Sequence, residues 1–471
     1  MAFRNFFVYL QAIIVENLMK RWVLATVISL LLAPLYGQSA FDEIRENILL
    51  SASNYMAYPG PAQQKLTPAP RGYKPFYISH YGRHGSRFHS KPSFYNAPYH
   101  VLAKADSLGK LTATGKDVLH RLDVIRKDAE NHWGDLTWKG AHQLEGIARR
   151  MYERFPEVFQ GNADVDARST GVGRCVLSME YALMQLVRLN PELNIHHDAT
   201  HRDVSYLNLQ DKELFNLRKN KKAVQLYNDF KTRNNDVGHL MQTLFNDSVY
   251  VRQHVKSYDL GEQLLILAAI LQNVELGNTM TLFDIFTQDE IYRVWKNGNA
   301  WWYIGWGASP ATGSKMPYLQ RNLLRKIIEQ ADSCIRQPKT NVHLRFGHET
   351  VVLPLICLLD INGFGLVTDN LNELTEKGWV NYRAFPMASN IQFVFYRKSP
   401  KDRNPLFKVL LNENEATLPL PAKKGPYCRW SDFRKYYLKK LDAYEDSAIP
   451  LVAGIVPLVA CNARPVCTLI H

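Results

Sequence analysis

From Lys74 the chain reads KPFYISHYG, a short apolar and aromatic run bounded by Pro75 and Gly82, which predicts a buried strand. Directly after it, GRHGSR sets Arg83, His84 and Arg87 among Gly82 and Gly85. Cations crowded together need an anion to share. α/β proteins bind anions at the carboxyl ends of strands and beside helix N-termini, so this one feature narrows both fold and ligand. The glycines let backbone approach a ligand, and guanidinium forks suit phosphate oxygens. A histidine held between those arginines is placed to attack phosphorus.

The rest of the chain supplies the layers such a strand needs. LTATGKDVLHRLDVIRKD and LTWKGAHQLEGIARRMYERF each open on a threonine where an N-cap belongs, Thr112 and Thr137, and continue with helical spacing. ADVDARSTGVGRCVLSMEYALMQL reads as a strand or turn feeding a helix from about Gly173, and residues 205–335 are mostly helical in pattern. NVHLRF returns to strand character, ETVVLPLICLLDI to helix and NIQFVFYR to strand. This order predicts an α/β fold: a mostly parallel sheet flanked by helices, with a large all-helical insertion domain capping the active site. The expected divisions are residues 1–40, an N-terminal extension and signal peptide; 41–178, the first part of the α/β core; and 179–336, the mainly helical insertion. Residues 337–446 form the second part of the core, and 447–471 an apolar C-terminal tail of no assigned role.

Lys20 and Arg21 precede WVLATVISLLLAPLYG, an apolar run of about 15 residues followed by small ones, the pattern of a secretory signal. The run falls short of the roughly 20 residues a span needs, so export to a periplasm or the medium is expected, with no stable membrane insertion after signal removal. Met1 and Met19 are the two candidate translation starts. Formal charge is +13, and +11 once residues 1–40, with Arg4, Lys20, Arg21 and Glu16, are set aside. A basic exported protein favours anionic partners. Zinc-finger spacing, aromatic-basic RNA motifs and basic heptad helices are absent from the sequence, which points away from nucleic acid and towards small polyanions. Six cysteines, at 175, 334, 357, 428, 461 and 467, form no CxxC pair; disulfides are possible, their pairing unreadable.

Two later segments carry the same chemistry. RSTGVGRCVLS offers Arg168 and Arg174 at a loop-to-helix junction, where another guanidinium can close an anion clamp. RFGHETVVLPL sets His348 and Glu349 after a strand and a glycine, opening a helix. An acid there can protonate a leaving alkoxide while the histidine donates to phosphate.

RHGSRFH, RSTGVGRCVLS and HET, in this order, resemble the histidine acid phosphatase family, branch 2 of the histidine phosphatases, and LTWKGAHQ is similar to that family's LTxxGxxQ helix. Within the family, the segments RC, FGHETVVLPL and PMASNIQFVFYR look most like multiple inositol polyphosphate phosphatases. The resemblance implies His84 as nucleophile, Glu349 as proton donor to the leaving oxygen, and Arg83, Arg87, Arg174 and His348 as phosphate-binding residues, with neither metal nor cofactor. Arg168 matches the family's outer arginine, which supports the loop. Two departures stand out: Phe88 and His89 follow RHGSR where the family has proline, and the acid is a glutamate directly after His348.

The implied function is phosphomonoester hydrolysis through phosphohistidine on a small anionic substrate, an inositol polyphosphate such as phytate. A broad acid phosphatase for sugar phosphates or nucleotides is the alternative within the class, and a non-catalytic phosphate-binding protein the alternative outside it. HHDATHRD, His196 to Asp203, has metal-like spacing but no completing partner, and reads as a loop. RKNKK, residues 218–222, reads as a solvated helix face.

Overall fold

The computed structural model describes residues 39–59, 63–208, 211–337, 341–423 and 425–448. The signal segment, its alternative starts and nearly all of the apolar tail, with Cys461 and Cys467, lie outside them. The strands are β1 (Lys74–Arg83), β2 (Asp164–Ser169), β3 (Asn194–Asp198), β4 (Val342–Gly347), β5 (Asn390–Arg397), β6 (Leu406–Leu411), β7 (Asn414–Ala416) and β8 (Cys428–Arg429). They form one sheet in the order β3-β2-β4-β1-β5-β6-β7, with β8 on β6.

The half running β3-β2-β4-β1 is parallel, as the alternation of strand and helix in the sequence requires. Beyond β1 the sheet turns antiparallel: β5 runs against β1, and the short connections from β5 to β6 and from β6 to β7 leave no room for crossovers. The sheet also takes in β3, so sheet structure continues past residue 178 as far as Asp198.

β1 sits at the centre and is buried from Tyr77 to Arg83, which is why its sequence is a continuous apolar-aromatic run and not an alternating one. Ile78, Val165, Val342 and Val394 carry no exposed surface, and each such side chain contributes about 1.5–3 kcal/mol relative to an exposed one. Helices α1 (Trp138–Arg154) and α2 (Gly173–Leu189) bury Leu144, Ile147, Leu183 and Leu186 against one sheet face. Between β3 and β4 the chain is helical, including α3 (Ser257–Leu271), α4 (Gln288–Trp306) and α5 (Arg321–Arg336). α6 (Glu349–Leu359), whose residues from Val351 to Leu359 are all buried, packs with α5 in the core on the other side. Among the described residues no helix is long and apolar enough to cross a membrane. Cys175, Cys357 and Cys428 are buried thiols outside any disulfide.

Candidate active site

Parallel register brings the three motifs to one edge of the sheet. Arg83 of β1 pairs with Gly347 of β4, and Ser169 of β2 with Phe346 of β4, so His84, His348 and Thr170 leave neighbouring strand ends together. Glu349 then opens α6, and Arg174 stands in the first turn of α2. Gly347 is required where it stands, since a Cβ there would overlap the Tyr81 hydroxyl.

The RHG turn is clamped by α1. A Cβ on Gly85 would overlap the carbonyl oxygen of Gly140, and one on Gly140 would overlap that of Ser86, so both glycines serve a backbone-to-backbone contact. Thr137 caps α1 by accepting from Gly140 N at 3.2 Å and also donates to Ser86 O at 3.1 Å. Gln143 accepts from Ser86 N at 2.9 Å and donates to Ser86 Oγ at 2.9 Å and to Tyr58 O at 3.1 Å. Ser178 accepts from Gly85 N at 3.1 Å. Thus the LTWKGAHQ and RCVLS segments act by holding the turn that carries His84.

His84 is buried, and its Nδ1 lies 2.9 Å from Gly85 O. A carbonyl only accepts, so Nδ1 carries the proton and Nε2 keeps a free lone pair. That Nε2 has no hydrogen-bond partner. Burial, followed by the charges of Arg83, Arg87, Arg174 and His348, pushes its pKa well below the usual histidine range and keeps the ring neutral.

Arg83 is fully buried and pinned by Nη1, which donates to Asn54 O at 2.5 Å and Phe385 O at 3.1 Å. Its Nε stands 3.1 Å from Glu349 Oε2, which in turn is 3.7 Å from His84 Nε2. Burial alone would raise the Glu349 pKa, but Arg83, Arg87 and His348 outweigh it and hold it at about 2. Glu349 is therefore a carboxylate.

Arg87 donates to Phe88 O at 2.8 Å, and its guanidinium lies 5.7 Å from the Tyr55 ring centroid. The rings of His84 and His348 are 5.8 Å apart, and His348 Nε2 lies 3.3 Å from Thr170 Oγ1. Burial foremost takes the His348 pKa down to about 4. Arg174 is half-buried, and Arg87, Cys175 and Glu349 act on its charge. Arg83 Nη2, Arg87 Nε and Arg174 Nε are buried donors with no protein partner, the arrangement an absent anion would complete. Arg168 instead pairs with Asp166 at 2.5 Å and Asp203 at 3.5 Å, away from this group.

Arg87 and Glu349 open onto a cavity of about 760 Å³. Sequence reasoning missed several of its parts. Asn54 and Tyr55 come from the stretch ahead of β1, and Asn273, which accepts from Ser86 Oγ at 2.7 Å, comes from the helical stretch. No local pattern marks such residues, because their partners lie far off in sequence. The lysines on the cavity are Lys91 and Lys231; Lys219, Lys221 and Lys222 of the RKNKK run are exposed. His89, beside the missing proline, is buried, with its ring 3.7 Å from that of Phe94.

His84, His348 and Glu349 bring potential ligand atoms within 4.8 Å of one another. Three guanidiniums around them favour an anion over a metal cation at that spot. In the HHDATHRD segment His197 pairs with Glu180 at 2.9 Å and Asp198 accepts from Thr200 N at 2.7 Å, so these side chains have protein partners.

The sequence model described as the histidine phosphatase superfamily (branch 2) matches residues 82–412, most of the chain. The chain belongs to the histidine phosphatase superfamily, branch 2. It is a histidine-type phosphatase, a hydrolase of phosphomonoesters. Among relatives of this histidine phosphatase, multiple inositol polyphosphate phosphatase 1 of Gallus gallus is 21% identical over 342 residues, covering 68% of this chain and 73% of that protein. The fold is similar to Bifidobacterium longum multiple inositol polyphosphate phosphatase in complex with inositol hexasulfate, with a TM-score of 0.69 and 17% identity over 82% of this chain and 97% of that one. It is also similar to the phytase from D. castellii, with a TM-score of 0.64 and 16% identity over 84% and 86% of the two chains.

Proposed function

We propose that this phosphatase hydrolyses inositol polyphosphates such as phytate, with His84 as nucleophile and Glu349 as proton donor. Arg83, Arg87, Arg174 and His348 hold the transferring phosphoryl group. The His84 Nε2 lone pair attacks phosphorus; the P–O ester bond breaks and its electron pair leaves with the alcohol oxygen, which takes a proton from Glu349. Water then attacks phosphorus, the P–N bond returns its pair to Nε2, and the Glu349 carboxylate takes the water's proton.

One observation carries this reading: a buried neutral imidazole whose Nδ1 is committed to Gly85 O at 2.9 Å and whose Nε2 is left unpartnered among three guanidiniums. Glu349 is ionised, so the proton it donates must arrive with the substrate. A phosphomonoester monoanion can pass its proton to Glu349 while the arginines turn to the resulting dianion. The inositol substrate is supported by the similarity to multiple inositol polyphosphate phosphatases and a phytase. His84→Ala should remove phosphate release from every ester tested; retained turnover would refute the nucleophile.

Export to a periplasm or the medium belongs to the same proposal, supported by the basic, apolar and small-residue succession from Lys20 to Ala40. N-terminal sequencing of the mature protein tests it: a start near residue 40 is expected, and one at Met1 or Met19 would contradict it. The helical run between β3 and β4 would serve as the cover of the site, supported by Leu265 of α3 and Trp295 and Trp301 of α4 on the cavity wall. Nucleic acid is not an expected partner.

A further inference from the structure

The cavity wall facing away from the clamp is not built like a polyanion site. Trp301, Trp302 and Trp306 of α4 lie along it, with ring centroids 4.6–5.2 Å apart. Trp302 packs at 4.8 Å on Phe385, whose carbonyl accepts from Arg83, so the indoles are tied directly to the clamp. Trp301 keeps 44% of its surface exposed, offering an open indole face. Glu262 of α3 lines the same cavity and makes no hydrogen bond or ion pair with a described residue. The cation that could neutralise it, Lys231, lies 3.5 Å from Asp259 and 4.2 Å from the Tyr258 ring centroid. Away from the clamp, the charged residues on the cavity are thus Lys91, Lys231 and Glu262, whose pKa burial raises above the usual carboxylate range while the charge of Lys231 lowers it.

A carboxylate only accepts hydrogen bonds and repels phosphate, whereas it welcomes a free hydroxyl. An indole face receives the C–H face of a polyol ring, which a ring phosphorylated at every carbon shields with bulky charge. Resting on the reading above, we propose that this wall selects ring alcohols carrying few phosphates, with Glu262 as the discriminating residue and Trp301 as the platform. Their free hydroxyls meet Glu262 while one phosphate occupies the clamp. The substrates favoured are then inositol esters from which most phosphates are already gone, and a reaction that strips more highly phosphorylated rings would supply them.

The test compares kcat/KM at pH 7, where Glu262 is ionised, for inositol hexakisphosphate and inositol monophosphate on one preparation each of wild type, Glu262→Gln and Glu262→Lys. A ratio taken within one preparation does not depend on how much of the protein folded. The hexakisphosphate-to-monophosphate ratio should rise roughly fivefold in Glu262→Gln, the scale of one like-charge contact, and further in Glu262→Lys. Trp301→Ala should lower kcat/KM for the ring monophosphate relative to acyclic glycerol phosphate. Phosphate release from both inositol esters with an unmoved ratio in both Glu262 variants overturns this inference alone. A wild-type enzyme that releases phosphate from neither overturns the inositol reading and this one with it.

Discussion

Glu349 forms an ion pair with Arg83, 3.1 Å from its Nε, in a site where both side chains are largely withdrawn from water. The acid proposed to donate a proton is thus held ionised, at a pKa of about 2, by the guanidinium proposed to hold the phosphate. In the proposed mechanism, substrate resolves the conflict by competing for the same cation.

The dependence of rate on pH follows from that competition. The reacting complex contains one proton shared between ester and Glu349, and His84 stays neutral well into acid because its pKa is depressed. kcat/KM should be high in acid and fall as pH rises through about 6, where a phosphomonoester loses its second proton. Initial rates from pH 3 to 8 check this; a rate that climbs towards pH 8 would contradict it.

Replacing Glu349 by glutamine should act through the leaving group. For an alkyl phosphate, whose alkoxide needs a proton, kcat should fall about 10²–10⁴-fold. For an aryl phosphate with an acidic phenol the loss should be much smaller. Equal losses on both would mean that Glu349 only positions Arg83.

Gly140 and Gly85 define a third expectation. Gly140→Ala pushes a methyl into the Ser86 carbonyl, which cannot yield without shifting the turn that carries His84. A cost of about 1–3 kcal/mol in stability is expected, with kcat falling more than KM changes. Denaturant unfolding together with steady-state kinetics reads both.

Stability should also respond to acid through the buried histidines. His80, His89 and His343 have pKa values lowered to about 3 and His348 to about 4, with His84 lowered as well, burial being the leading cause in each. An unfolded chain takes up those protons near pH 6.5 and the folded one does not, so stability is lost as pH falls below that value. Glu349, with its depressed pKa, adds a further loss below about 4.5. Tm should decline steadily from pH 7 to pH 4; a flat profile would count against neutral buried rings.

Much of the site was legible because its residues sit at strand ends, where apolar runs stop at Gly82 and Gly347 and charged residues begin. The parallel half of the sheet was readable from the alternation of strand and helix patterns. The antiparallel half beyond β1 was not, since β6 and β7 are short and carry no turn signal stronger than Asn412 and Glu413, both at positive φ. Asn54, Tyr55 and Asn273 were invisible for a different reason: Asn54 meets Arg83 29 residues on, and Asn273 meets Ser86 and Tyr55 187 and 218 residues back, so only folding gives them meaning. Glu349 was found by position, but its ionised state depends on three charges that meet only in the folded site.

The most direct measurement of the central claim is capture of the phosphoenzyme. Enzyme mixed rapidly with phosphomonoester, quenched in alkali where a phosphoryl–nitrogen bond survives, and mapped by peptide mass should carry one phosphoryl group on His84. The wild-type intermediate should appear before free phosphate accumulates and be absent from His84→Ala. Phosphoryl transfer to another side chain, or rapid turnover with His84 never modified, would contradict the mechanism.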